Sequence, residues 1–233
     1  MAIDECQAKF STSRWNCSIV IDNSIRRSGD YDNDTVSNEH QQETIFGDVM
    51  KRPNRERSFL NAIIAASLAH SMTKACSQGE LPEECSCDRK IKSKNSKGRI
   101  EWIACSDDID YGARFSREFT DNFSLDESDA TSTIYMHNSE VGRRVFKSAT
   151  DITCTCSNGD SGLCQTKRCW RHLGSFTDVV DELIKRYDGA THVQRSNKDP
   201  HKLRPVRRGV RRPKRKDLVY IEESPDYCQP DTR

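Results

Sequence analysis

"RERSFLNAIIAASLAHSMTKAC", residues 55–76, holds the longest apolar stretch of a chain that has few. Phe59, Ile63, Ala66 and Ala69 recur at helical spacing, and Leu60, Ile64 and Leu68 widen the stripe. A stripe that broad predicts a helix covered by other helices rather than one resting on a single neighbour. Gly79 and Pro82 in "SQGELPEECSC" stop it. Its apolar part, "FLNAIIAASLAH" (59–70), is too short and too rich in Ala and Ser to span a bilayer.

Other segments repeat the helical pattern. Residues 106–122 read as a helix with Ser106 as N-cap and Asp107 and Asp108 at the positive end of its dipole. Residues 136–150 read as another, with Val141, Val145 and Phe146 inward. Residues 175–187 read as a further one, with Ser175 as cap, Asp178 in the first turn, and Phe176, Val179, Val180, Leu183 and Ile184 facing the core; Gly189 ends it. Residues 217–228, "DLVYIEESPDYC", predict a short strand and a turn, and the polar residues 22–54 an insertion. The expected fold class is mainly α.

Composition says what must supplement the helices. The 233 residues are 34% hydrophobic and 31% charged, with a mean hydropathy of −0.84. Eleven cysteines at close spacing suit an oxidising compartment, where disulfides replace missing core. Eleven is odd, and isolated Cys228 is the natural remainder. "MAIDECQAKF" has no basic region followed by an apolar one, so no secretory signal is predicted; the chain reads as a piece of a longer secreted protein.

Net charge is +1, yet residues 198–216 carry ten Lys/Arg against one Asp. Such a run would attract heparan-type glycans, nucleic acid or anionic lipid, and within it Arg207, Arg208, Arg211, Arg212, Lys214, Arg215 and Lys216 form a candidate site for sulfated glycans. The plainer reading is a solvated, mobile loop.

"CTCSNGDSGLCQTKRCW" (154–170) sets four cysteines around a polar tip. Nested pairing, Cys154–Cys169 outside Cys156–Cys164, would staple a hairpin too short to stand alone. Gly159 and Gly162 permit the turn, and Ser161 is the nucleophilic group near its apex. Three readings compete. Ser161 is a turn residue, as a serine beside glycine usually is. Or the cysteines hold zinc, although C-x-C spacing suits zinc poorly. Or Ser161 is catalytic with His137 or His172 as base, although Gly159-Asp160-Ser161-Gly162 is not a G-x-S-x-G elbow. Neither a metal nor an enzyme activity is expected. Residues 6–17, "CQAKFSTSRWNC", form another loop that a disulfide could close.

Several blocks together resemble the Wnt family of secreted, lipid-modified signalling glycoproteins. "ECQAKFSTSRWNCS" (5–18) is similar to the family's ECQxQFxxxRWNCS. "RERSFLNAIIAASLAHSMTKACSQGEL" (55–81), "WIACSDDIDYGARFSREFTD" (102–121) and "MHNSEVGRR" (136–144) match further family blocks in order. So do the 154–170 loop and "DLVYIEESPDYC". The resemblance runs over nearly the whole chain.

The resemblance implies a disulfide-stapled helical N-terminal domain over 1–190, with a protruding hairpin at 154–170. It implies that 191–233 is a basic linker leading to a cysteine-rich C-terminal domain absent from this chain. It implies that Ser161 carries a monounsaturated fatty acyl ester, added by a membrane-bound O-acyltransferase. The lipid, with Gly159, Asp160, Gly162 and Leu163 around it, would enter the Frizzled cysteine-rich domain and activate Wnt signalling in development. Implied disulfides are Cys6–Cys17, Cys76–Cys85, Cys87–Cys105, Cys154–Cys169 and Cys156–Cys164, leaving Cys228 unpaired. Other implied partners are a Wnt carrier, a lipoprotein-receptor-related co-receptor, and heparan sulfate proteoglycans in the extracellular matrix; nucleic acid is not among them. No cofactor is implied beyond the covalent lipid.

The hairpin tip departs from the family by one extra residue, and Ser157-Asn158-Gly159 replaces His-Gly, which makes Ser157 an alternative acceptor. Sequons lie at Asn16, Asn33 and Asn122. The competing expectations are a truncated chain that cannot signal, a decoy that occupies the receptor, and a glycan-binding extracellular module.

Overall fold

A central helix rich in alanine lets its neighbours come close, and the fold is arranged around that fact. The computed structural model of the chain describes residues 1–17, 52–81, 85, 100–102, 106–121, 130–158, 164–196 and 199–228. The expected insertion over 22–54 lies almost wholly outside them.

Helix α1 (Ala2–Lys9) precedes the central helix α2 (Arg55–Ser77). Asn54 caps α2, its side chain accepting from the Arg57 amide at 2.9 Å. Buried positions lie on every side of α2, among them Phe59, Leu60, Ala62, Ile63, Ala65, Ala66 and Ala69. Strand β1 (Ile100–Trp102) is followed by helices α3 (Ile109–Asp121) and α4 (Ala130–Ser148). Helix α5 (Phe176–Asp188) follows strands β2 (Thr150–Asn158) and β3 (Cys164–Leu173). Helices α3, α4 and α5 all pack on α2.

Two glycines set the closest approaches. A Cβ on Gly112 of α3 would sit 2.0 Å from Thr73 Oγ1 and 2.4 Å from the Ala69 carbonyl oxygen. A Cβ on Gly142 of α4 would sit 2.0 Å from the Ala62 carbonyl oxygen. Any side chain there forces helix from helix.

The expected start of α3 needs correction. Ser106 is not its N-cap: the helix begins at Ile109, and the Asp108 carboxylate accepts from the Tyr111 amide at 2.9 Å. Ser106 is instead taken up by β3, as described below. The α4 helix begins six residues before the expected 136. Its first turns are polar, but Ile134 is buried against Val193 and Val219, a contact that local periodicity does not reveal. The α5 boundaries agree with expectation, with Thr177 donating to Ser175 Oγ at 3.2 Å and Gly189 as C-cap.

An aromatic cluster fastens the N-terminal segment. Phe10 lies edge-on to Trp15, Phe59 and Tyr187, with centroids 4.8, 5.3 and 5.2 Å away. Such pairs add about 0.5–1.5 kcal/mol each beyond burial. The Cys6–Cys17 disulfide closes the loop around Phe10 and Trp15, and Lys9 forms an ion pair with Asp181 of α5.

A charged network joins α3 to α4. Arg143, 2% exposed, donates to Glu140 Oε2 (3.0 Å), Thr120 Oγ1 (2.9 Å) and Asp121 Oδ1 (3.3 Å). Arg117 and Arg144 also donate to Glu140. Burial opposes the charge on Glu140, but hydrogen bonds from Arg117, Arg144 and Arg143 prevail and bring its pKa down to about 2.

Two three-stranded sheets complete the described residues. In one, β3 lies between β1, parallel to it, and β2, antiparallel. In the other, β4 (Thr191–Ser196) lies between antiparallel β5 (Asp199–Pro205) and parallel β6 (Val219–Tyr220). The short strand expected in 217–228 is therefore present. The basic run is not an open loop throughout, because its first residues are β5, with Leu203 packed toward Val193 and Val219.

Candidate functional site

The β2–β3 hairpin is a straight ladder from Thr150↔Leu173 to Ser157↔Thr166, with a register shift before Asn158↔Cys164. Cys154 and Cys169 face each other in this register and are disulfide-bonded, with Cα atoms 4.1 Å apart. A loop of this length, 15 residues, gains about 3 kcal/mol from closure in the chain-entropy account.

The base of the hairpin is held by Ser106 and Asp107, just before α3. Ser106 Oγ accepts from the Arg171 amide at 3.0 Å, Asp107 Oδ2 from the Leu173 amide at 2.7 Å, and the Asp107 amide donates to the Arg171 carbonyl at 3.0 Å. Strand β1 adds a parallel ladder beside Lys167–Cys169. At the foot, a Cβ on Gly174 would lie 2.3 Å from the Ala149 carbonyl oxygen. His70 of α2 meets the Gly174 carbonyl at 3.3 Å. Burial lowers the His70 pKa, so its Nε2–H donates from a neutral ring. Above these anchors β2 leaves the body: Asp151 through Thr155 are exposed, and Ile152 retains 56% of its surface.

The two histidines proposed as bases have structural partners. His172 Nδ1 lies 3.1 Å from the Leu173 carbonyl, so it donates, and Nε2 accepts from Thr153 Oγ1 at 2.7 Å. His137 sits on α4 with Nε2 2.9 Å from the Asp217 carbonyl, and burial lowers its pKa. Among the described residues no group of three or more His, Cys, Asp or Glu is arranged to hold a metal ion, and no helix is long and apolar enough to cross a membrane.

The tip residues Gly159, Asp160, Ser161, Gly162 and Leu163 lie outside the described residues, as do Cys87, Cys105, Asn33 and Asn122. The side chains of Ser157, Cys156 and Cys164 do too, and with them the expected inner disulfide; the ladder sets Cys156 opposite Lys167 and Cys164 opposite Asn158. The Cys76–Cys85 disulfide is present. Asn16 is exposed, directly before Cys17. Cys228 is free and exposed.

The basic residues Arg207, Arg208, Arg211, Arg212, Lys214, Arg215 and Lys216 are all exposed. Their display is fixed from behind. Arg144 Nη1 donates to the Arg215 carbonyl (3.4 Å), Arg186 Nη1 to the Lys216 carbonyl (2.5 Å) and His137 to the Asp217 carbonyl.

Residue reasoning missed how the segment after the basic run is docked. Asn138 Nδ2 donates to the Val219 carbonyl at 2.9 Å, and Asn138 Oδ1 accepts from the Val219 amide at 3.0 Å. Ser58 Oγ donates to the same carbonyl at 2.6 Å. Glu56, 2% exposed, accepts from Tyr187 Oη (2.9 Å) and from Ser224 Oγ (2.7 Å). The signal was available: Asn138 falls three and seven residues before Val141 and Val145, on one helical stripe.

Comparison with known proteins gives the arrangement its relatives. The family model described as "wnt family" matches residues 1–233. Human Protein Wnt-2b is 39% identical over 228 residues, which is 97% of this chain and 53% of the relative. Xenopus laevis Protein Wnt-2b-A is 38% identical over 97% of this chain and 59% of its own. The chain thus spans little more than half the length of these relatives. Among solved structures, human WLS in complex with WNT8A matches with a TM-score of 0.63 and 27% identity, covering 99% of this chain and 66% of that one. The Drosophila WntD N-terminal domain-linker shares the fold, with a TM-score of 0.56 at 22% identity, covering 97% and 93%.

Proposed function

The chain belongs to the Wnt family, and on that premise we propose that it is the receptor-docking part of a secreted ligand whose hairpin delivers a lipid. Ser161 is the acyl acceptor, and the lipidated tip enters the groove of a Frizzled cysteine-rich domain. The reading rests above all on how the hairpin is held. Its base is fixed by Ser106 and Asp107, its strands are joined by Cys154–Cys169, and β2 stands clear of the body. A stiff arm loses little entropy on docking, so the lipid's transfer energy, about 0.8 kcal/mol per buried CH₂, goes into affinity. A carrier binds the ligand before release, a reading supported by the solved complex of human WLS with WNT8A.

The test is mass spectrometry of the chain secreted from animal cells behind an added signal peptide, beside Ser161→Ala. A C16:1 mass on the 154–169 peptide, absent from the variant, together with Ser161-dependent binding to a Frizzled cysteine-rich domain, is the expected result. Secretion without an acyl group would sink it, and an acyl group retained in Ser161→Ala would move the acceptor to Ser157.

A second reading concerns the basic run. The exposed side chains of Arg207, Arg208, Arg211, Arg212, Lys214, Arg215 and Lys216, with carbonyls 215–217 pinned behind, favour sulfated glycans of the matrix. Heparin affinity that falls steeply with salt and ignores Ser161→Ala is expected.

A further inference from the structure

Residues 204–216 contain three successive Arg-x-x-Arg patterns: Arg204–Arg207, Arg208–Arg211 and Arg212–Arg215. Endopeptidases with acid-lined pockets recognise such pairs by placing one arginine at the cut and the other three residues before it. By sequence alone the three bonds are equivalent. The structure separates them.

A protease must draw about six residues into an extended strand of its own, so backbone already committed to the fold is a poor substrate. Arg204 lies within β5, opposite Gln194, and the Val206 amide donates to the His192 carbonyl at 3.1 Å. That commits the first pattern to the sheet. In the third, the Lys214 amide donates to Asp217 Oδ2 (2.8 Å), the Asp217 amide to the Lys214 carbonyl (3.0 Å), and the Arg215 and Lys216 carbonyls are held by Arg144 and Arg186. The middle pattern is open. Residues 206–212 are all exposed, a turn at Arg208–Gly209 gives way to backbone outside any helix or strand, and even Val206 and Val210 stand 41% and 45% exposed. Arg211 is tied to the body by an ion pair with Asp217 at 3.0 Å, a surface contact worth at most about 1 kcal/mol.

We propose that the Arg211–Arg212 peptide bond is a processing site for a secretory-pathway serine endopeptidase that requires arginine at the cut and three residues before it. The protease serine adds to the Arg211 carbonyl carbon, and the C–N bond breaks as the Arg212 nitrogen takes a proton. Water then hydrolyses the acyl-enzyme, leaving the Arg211 carboxylate; one water is consumed. The product is nicked but not divided. Residues 217–224 stay bound through Val219 on Asn138 and Ser58, Asp217 on His137, and Ser224 on Glu56.

The test exposes the purified secreted chain to a furin-type subtilase. The expected early product gives a fragment starting Arg212-Pro213, two bands on a reducing gel, and a single peak at the uncut size on a native column. Arg211→Gln abolishes the cut and Arg208→Gln slows it by about tenfold or more, since a pocket built for a charged partner is left unfilled. Arg144→Gln with Arg186→Gln adds a second cut after Arg215. A first cut after Arg207 or Arg215, fragments that separate on the native column, or resistance under conditions that cleave the urea-unfolded chain would each overturn the proposal.

Discussion

Asn138 holds Val219 as one strand holds another: its amide side chain both donates to and accepts from the same residue's backbone, at 2.9 and 3.0 Å. A residue on α4 thus completes the edge of β6 and joins the second sheet to the helical body. Residues 217–220 dock where they do because a side chain imitates a peptide group.

Asn138→Leu removes both bonds and buries the Val219 amide without a partner, while Ser58 still serves the carbonyl. A loss of about 1–3 kcal/mol in urea unfolding is expected, with faster amide exchange over residues 218–221. Exchange unchanged at 218–221 would show that β6 does not depend on Asn138.

Gly142→Ala and Gly189→Ala should differ in outcome although the chemistry is the same. At Gly142 the new methyl meets the Ala62 carbonyl oxygen at 2.0 Å. The expected loss is about 1–3 kcal/mol from overpacking, read as a lower Tm. At Gly189, φ is −93° and the closest atom is 3.6 Å away. There the change should be close to neutral. Equal effects at the two sites would refute the close-packing argument.

Acid should weaken the fold in two steps. His70 and His137 have folded pKa values lowered by burial, so the folded state resists binding their protons. Their contribution is complete above about 6.5, the unfolded value, and is lost as pH falls below it. Glu140 is lowered from 4.5 to about 2, so its contribution is present above 4.5 and is lost between 4.5 and 2. Urea midpoints measured from pH 7 to pH 2 should fall in both windows. In Glu140→Gln the lower-pH loss shrinks and the upper one remains.

Asp107→Ala takes an ionised acceptor from the Leu173 amide. About 1.5–3 kcal/mol is at stake, and the effect is confined to the foot of the hairpin. Exchange at Arg171–Leu173 should accelerate while α2 stays protected. If α2 is exposed to the same degree, the hairpin is not an independently anchored arm.

How much of this was legible depended on the range of the interaction. The extents of α2 and α5 follow from local periodicity and caps, because Phe59, Ile63, Val179 and Leu183 repeat at the helix spacing and Ser175 caps its own helix. The cross-strand pairing of Cys154 with Cys169 was foreseeable from spacing around a glycine-containing tip. The start of α3 was misread because Ser106, a good cap by type, is recruited by Arg171, a residue 65 positions away. The start of α4 was misread because Ile134 acquires its role only from Val193 and Val219. The strand at the head of the basic run was hidden by charge: Lys202 and Arg204 look solvated, and only Leu203 between them turns inward.

The described disulfides all bridge short distances along the chain: 11, 9 and 15 residues. The contacts that close the fold bridge long ones: 81 residues for Asn138–Val219, 131 for Tyr187–Glu56, 161 for Ser58–Val219. These two kinds of bond guard against different insults. Each described staple can oxidise within its own segment before the distant parts have met. With these three pairs oxidised, the chain can therefore lose its global architecture to urea while keeping loop 6–17 and the outer clamp of the hairpin intact. Oxidation of these three pairs is a record of local folding only, and a quality check that counted them would pass molecules in which the helical body never assembled.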